Sequence, residues 1–166
     1  MTATLHIVFG PSGAGKSTYA KALARSTPAV HFAIDEWMAR LFAPDMPEPL
    51  EFDWMMARVE RCETMIWATA AGVLAAGGSA VLDLGLMRKV DRARVVEIAE
   101  ACELPYQLHF VTAPQEVRRQ RVLERNQVKG ETFAFEVTPE MFDFTEGVFE
   151  APEGDELARC VVTVSD

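Results

Sequence analysis

The chain has 166 residues, 49% of them apolar and 25% charged, and carries a formal net charge of −9 at pH 7. That is enough chain for one α/β core without disulfides, with the composition of an ordinary globular protein. The acidic balance argues against a long nucleic-acid backbone as partner, because affinity there comes from Lys and Arg. Cys62, Cys102 and Cys160 are scattered, with no C-x-x-C pair. They read as small core residues of a reduced protein, not as a metal site or a disulfide framework. The most apolar long stretch, Ile66 to Ala80, is too short to cross a bilayer. The first strand-like run starts within four residues of Met1 and leaves no room for a leader, so no membrane contact and a cytoplasmic location are expected.

Leu5–Gly10 opens the chain as an apolar run and passes directly into Gly10-Pro11-Ser12-Gly13-Ala14-Gly15-Lys16-Ser17, which spells G-x-x-x-x-G-K-S. A buried strand, a Gly-rich turn and a helix with Lys and Ser on its first turn make up the phosphate-binding loop. Its backbone from Gly10 to Thr18 would curl so that N–H groups meet phosphate oxygens, and the helix N-terminus adds partial positive charge. Lys16 would neutralise the β- and γ-phosphates, and the Ser17 hydroxyl can ligate Mg²⁺. A nucleoside triphosphate, ATP with Mg²⁺, is the expected ligand.

Lys16–Arg25 reads as the first helix and Val30–Asp35 as the second strand. A carboxylate closing that strand would point into the ligand crevice, where Asp35 could accept the proton of an attacking substrate hydroxyl. It could equally cap a helix over Glu36–Phe42, with Glu36 a first-turn charge. Residues 43–53 are rich in Pro and acids and read as part of a substrate-side excursion spanning about 36–56. Around it Trp37, Met38, Phe42, Trp54 and Met55 offer either an aromatic wall for a small substrate or an accessory core. Met55, Val59, Cys62, Ile66, Ala70 and Val73 recur at steps of three and four, a long amphipathic helix ending at Gly77-Gly78.

Ala80–Gly85 is the third strand, and its Asp83 follows apolar residues in the Walker B manner, a candidate Mg²⁺ ligand directly or through water. Arg88 could clamp a phosphate or a substrate acid, or lie on a solvated helix. Val90–Ala99 fits a helix, Gln107–Thr112 a fourth strand, Pro114 to about Asn126 a further helix, and Val161–Val164 a last strand. Arg118, Arg119, Arg121 and Arg125 cluster on the helix after Pro114; Arg121 and Arg125 share one face, suited to stacking on a base and reaching phosphates. The bland alternative pairs that basic face with Glu116 and Glu124. Residues 127–156 are acidic and loop-like, with a short helix from Pro139. His6, His31 and His109 lie in or beside strands without ligand spacing and read as structural. Strands alternating with helices imply a parallel sheet covered on both faces, with ligand outside the strands' carboxyl ends.

Together these residues resemble the small P-loop kinases of the nucleoside-monophosphate-kinase-like group: gluconate and shikimate kinase, chloramphenicol phosphotransferase, zeta toxin, polynucleotide kinase and the related AAA-type ATP-binding set. The resemblance implies a P-loop NTPase three-layer α/β/α fold over residues 1–166, a five-stranded parallel sheet in order 2-3-1-4-5, and a short lid at about 119–137. It implies that Asp35 activates the acceptor hydroxyl, that Arg121 lies on adenine and Arg125 on phosphates, and that Phe149–Glu156 closes over adenine. The implied activity is ATP-dependent transfer of the γ-phosphate to a hydroxyl of a small molecule. Lys16, Asp35 and Arg125 would be catalytic, and Asp35, Trp37, Phe42, Trp54 and Arg88 would lie at the acceptor. The acidic loops lean toward a neutral, polyhydroxylated or cationic acceptor. A nucleoside or 5′-hydroxyl nucleic-acid kinase, and a nucleotide-binding regulatory ATPase or switch, are the alternatives; a monomer or a homodimer fits all of them.

Overall fold

A computed structural model describes residues 2–49, 51–129 and 136–165. Five strands, β1 (Leu5–Phe9), β2 (Ala29–Ala33), β3 (Ser79–Asp83), β4 (Tyr106–Thr112) and β5 (Cys160–Val164), form one sheet in order β2-β3-β1-β4-β5. Every pairing is parallel. Among the described residues seven helices surround it: α1 (Lys16–Ser26), α2 (Ile34–Phe42), α3 (Phe52–Ala75), α4 (Lys89–Ala101), α5 (Gln115–Val128), α6 (Pro139–Val148) and α7 (Gly154–Ala158). A single 3-10 turn, Ala43–Asp45, lies in the Pro-rich excursion. The sheet order is the expected one.

β1 sits at the centre with neighbours on both sides, so its residues alternate between two cores. Leu5, Ile7 and Phe9 join Cys62, Ile66 and Ala70 of α3 and Val95 and Ala99 of α4 on one face. Val8 joins Ala20 and Ala24 of α1 on the other, where alanines let the helix lie close. Burial of each large aliphatic chain contributes about 1.5–3 kcal/mol, so packing on both faces stabilises the middle of this sheet. Its strand ends carry the site.

Element boundaries differ from expectation in three places. β2 ends at Ala33, so Asp35 lies in the first turn of α2 instead of closing the strand. The N-cap of α2 is Ala33, which also removes the capping role for Asp35. β3 stops at Asp83, two residues short of Gly85. The end of the stretch read as loop, 127–156, opens a helix, α7. Of the cysteines, Cys62 is buried as expected, but Cys102 is exposed at the C-cap of α4.

α5 and α6 are stapled together. Val122, Val137 and Phe142 form a small core, and the Asn126 amide donates to the Val137 carbonyl (2.7 Å) and accepts from its N–H (3.1 Å). Of the segment 119–137, residues 130–135 lie outside the described residues. No helix among the described residues is long and apolar enough to cross a membrane.

Candidate active site

The β1–α1 connection has the geometry an anion requires. Gly10 approaches β4 so closely that a Cβ would strike the Val111 carbonyl, and a Cβ on Gly13 would lie 2.5 Å from the Arg118 carbonyl oxygen. Gly13 (φ +76°) and Gly15 (φ +87°) adopt left-handed backbone. Successive N–H groups in such a loop converge into an anion-binding nest. Ala14 N–H donates to the Pro11 carbonyl (3.3 Å), closing the turn. α1 has no side-chain cap and, alone among the helices of the described residues, no carboxylate in its first turn. Its unsatisfied N–H groups and partial positive charge are therefore not neutralised from within.

Lys16 donates its Nζ to the Pro11 carbonyl at 2.9 Å, folded back over its own loop. Burial lowers its pKa, against the pull of Asp83 and then Asp35. Asp83 closes β3, 6% exposed, with its Oδ2 3.8 Å from His31 Nε2. Asp35 is reached by solvent, yet stands in a recess crowded by protein. That crowding and then Asp83 raise its pKa, while Lys16 and Arg125 pull it down. Desolvation lowers the pKa of Arg125, and Asp35 opposes the shift. Lys16, Asp35, Asp83 and Arg125 thus feel one another across a single recess at the carboxyl ends of the strands.

Two buried polar atoms lack a hydrogen-bond partner among the described residues: His31 Nε2 and Arg125 Nε. Buried donors are rarely left so without a ligand in view, and both border this recess. A triphosphate fits the nest, Lys16 and the unmet Arg125 donor. Among the described residues no cluster of three His, Cys, Asp or Glu could hold a metal alone. The oxygen donors of Ser17 and Asp83 fit Mg²⁺, which usually binds through one or two protein ligands plus phosphates and water.

The other arginines have partners of their own. Arg118 and Arg119 do not pair with Glu116 or Glu124; they pair with Glu146 and Asp143 of α6. Arg118 is buried and also donates to the carbonyls of Ala113 (2.9 Å) and Ser12 (3.1 Å). Arg121 donates to Ser165 Oγ at 2.8 Å, which in turn donates to the Ala14 carbonyl at 2.8 Å. Arg88 is exposed and forms a two-pronged pair with Asp91 on its own helix, at 3.0 and 2.9 Å. Glu36 pairs with Lys21 of α1 at 2.8 Å.

Trp37, Met38 and Phe42 of α2 pack against the main core, with Trp37 6.4 Å from the Phe32 ring. Arg58 was not singled out in the sequence. Its guanidinium lies 3.6 Å from the Trp54 ring centroid and 5.7 Å from that of Phe42, and it donates to the Trp54 carbonyl at 2.9 Å. It forms no ion pair with the described residues. The four-residue spacing of Trp54 and Arg58 on one helix was the available signal. Phe149–Glu156 turns toward α4: Phe149 stacks on Phe110 at 6.3 Å, Glu150 accepts from Lys89 N–H at 2.6 Å, and Glu156 holds Arg92. The histidines are structural in part: His6 and His109 share a hydrogen bond (3.0 Å), and Tyr19 meets His109 at 2.8 Å. His31 instead lies beside Asp83.

The order of the sheet, the nest after β1 and the acid closing β3 define a P-loop NTPase fold of the compact, kinase-like kind. The chain belongs to the AAA_33 family, AAA domain, which matches residues 5–152. Among solved structures it is similar to a protein of Chloroflexus aurantiacus provisionally named a kinase, at 18% identity and TM-score 0.74, over 99% of this chain and 89% of that one. Chaetomium thermophilum Kti12 in complex with ADP-AlF3 gives 16% identity and TM-score 0.70, over 98% of this chain and 89% of that one. Mycobacterium tuberculosis APS kinase in complex with AMPPNP and APS gives 14% identity and TM-score 0.65, over 99% and 90%. No curated protein matches the chain.

Proposed function

We propose that this protein is an ATP-dependent phosphotransferase that moves the γ-phosphate to a hydroxyl of a small molecule. The observation that supports it most is the convergence of Lys16, Asp35, Asp83 and Arg125 on one recess beyond the glycine nest. A nest alone would serve any nucleotide binder. A solvent-reachable carboxylate opposite the lysine is what an acceptor hydroxyl needs.

On this reading Gly10 to Thr18 hold the triphosphate, and Lys16 leaves Pro11 for the β- and γ-phosphates. Ser17 and Asp83 would hold Mg²⁺, whose contribution when bound is to neutralise charge developing on the phosphate oxygens. Asp35 accepts the proton of the acceptor hydroxyl as its oxygen attacks; the raised pKa makes it a better base than an ordinary surface Asp. Arg125 uses its unmet Nε to offset charge on the transferring group. Burial and then the charge of Asp83 disfavour ionisation of Asp35, so a cation entering the recess favours its ionised form.

Phe42 lies seven residues beyond Asp35 on α2, about 10 Å away at 1.5 Å per residue, and carries Arg58 with it. An aromatic-flanked guanidinium without an ion-pair partner among the described residues favours a neutral or anionic hydroxyl compound over a cationic one. Screening sugars, sugar acids and nucleosides for acceptor-stimulated ADP release, with Asp35→Asn as control, tests the proposal. A true acceptor raises ADP release in wild type and not in the variant. Hydrolysis that no acceptor stimulates and that Asp35→Asn leaves unchanged supports the switch-type alternative.

A further inference from the structure

The phosphate loop is held from outside at alternate carbonyls, and both holds come from one helix. Arg118 Nη1 donates to the Ser12 carbonyl at 3.1 Å. Three residues along α5, Arg121 donates to Ser165 Oγ, which donates to the Ala14 carbonyl, both at 2.8 Å. A trans peptide is planar, with its C=O and the next N–H pointing in opposite directions. Holding the Ser12 carbonyl outward therefore turns the Gly13 N–H inward, and holding the Ala14 carbonyl outward does the same for the Gly15 N–H. Both glycines sit in left-handed backbone, where free loops sample many conformations.

We propose that Arg118, and Arg121 acting through Ser165, are positioning residues that set the phosphate cradle by orienting the N–H groups of Gly13 and Gly15. Glu146 belongs to the same device. From α6 it grips Arg118 in a bidentate pair, with Nη2 to Oε2 at 2.7 Å, and Arg118 is only 6% exposed. The bidentate fork fixes the guanidinium plane, so the remaining edge of Nη1 has one place to donate. Ser165, immediately beyond β5, is itself anchored by its N–H to the Thr112 carbonyl at 2.8 Å. The cradle is thereby tied to α6 at one carbonyl and to the end of the sheet at the next. This inference rests on the triphosphate-binding role proposed above, and assigns Arg121 a task other than stacking on adenine.

The test uses Mg²⁺ with inorganic tripolyphosphate, and adenosine as a probe that makes no phosphate contact. Arg118→Met/Glu146→Met replaces the buried pair with apolar chains of similar size, a change that commonly keeps or raises stability. Ser165→Ala removes only a hydroxyl and leaves the backbone anchor. Calorimetry is expected to show tripolyphosphate binding ~10-fold weaker in the double variant, the worth of one lost hydrogen bond to a charged group, and ~3-fold weaker in Ser165→Ala, with adenosine unchanged. In ¹H–¹⁵N spectra, tripolyphosphate should move both glycine amides in wild type. The Gly13 shift should shrink in the double variant and the Gly15 shift in Ser165→Ala. Folded variants that bind tripolyphosphate within two-fold of wild type overturn the inference, as does an equal loss for adenosine. Wild type that binds neither tripolyphosphate nor ATP overturns the triphosphate reading itself.

Discussion

The loop after β1 and the hairpin of α2 and α3 are built on opposite principles. The loop is fixed by backbone: glycines pressed against the carbonyls of Val111 and Arg118, and its own carbonyls tethered to α5 and Ser165. The hairpin is fixed by side chains, with Trp37, Met38 and Phe42 set into the core and Arg58 laid between rings. A phosphate is the same object in every nucleotide, so a rigid backbone nest can serve it. An acceptor is particular, and side chains that differ from chain to chain must read it.

Breaking the charged groups where the loop meets the start of α2 should give the largest effects. Lys16→Ala is expected to lower transfer by ~10³-fold or more, since it removes the cation at the site of charge development. Steady-state ADP release checks it. Asp35→Asn should lower transfer by ~10²-fold or more while leaving ATP affinity within a few-fold. Equal turnover would remove Asp35 from the chemistry.

The pH profile sharpens the same point. Asp35 works ionised and its pKa is raised, so the acid limb of kcat/KM should lie above the usual carboxylate range and vanish in Asp35→Asn. For stability the sign is opposite. A carboxyl whose folded pKa exceeds its unfolded value costs stability above the folded pKa, and that cost is relieved as pH falls through it. Denaturant unfolding of wild type against Asp35→Asn across that window checks the second sign.

Gly13→Ala should cost about 1–3 kcal/mol, through the φ of +76° and the 2.5 Å approach to Arg118, and weaken ATP binding with it. For a chain of this size, each kcal/mol lowers Tm by about 2–4 °C, which calorimetric melting can read. The smallest effects belong to Arg58 and Arg88. Arg58→Ala is expected to raise the acceptor KM while leaving that for ATP unchanged. Arg88→Ala, an exposed residue already paired with Asp91, should change neither by more than about two-fold, as surface substitutions seldom do.

What could be read from the chain alone follows the same division. G-x-x-x-x-G-K-S carries its own geometry, and near-continuous apolar runs mark parallel strands, so the sheet and the nest were visible. Asp83 was visible because it ends such a run. The start of α2 was not, because Ala33-Ile34-Asp35 continues the apolar strand pattern while the helix already begins at Ile34. The partners of Arg118 and Arg119 were hidden for another reason. Glu116 and Glu124 are near in sequence, but the carboxylates that meet these arginines are 28 and 24 residues away on α6. Local spacing cannot report such a contact; only the α5–α6 packing brings it about.

The central claim is that the glycine nest after β1 takes a Mg²⁺-bound triphosphate, and titration calorimetry of Mg·ATP into the folded protein tests it most directly. Saturable binding at one site per chain, lost in Lys16→Ala, is the predicted result. A well-folded protein that gives no binding heat with either Mg·ATP or Mg·GTP would contradict it.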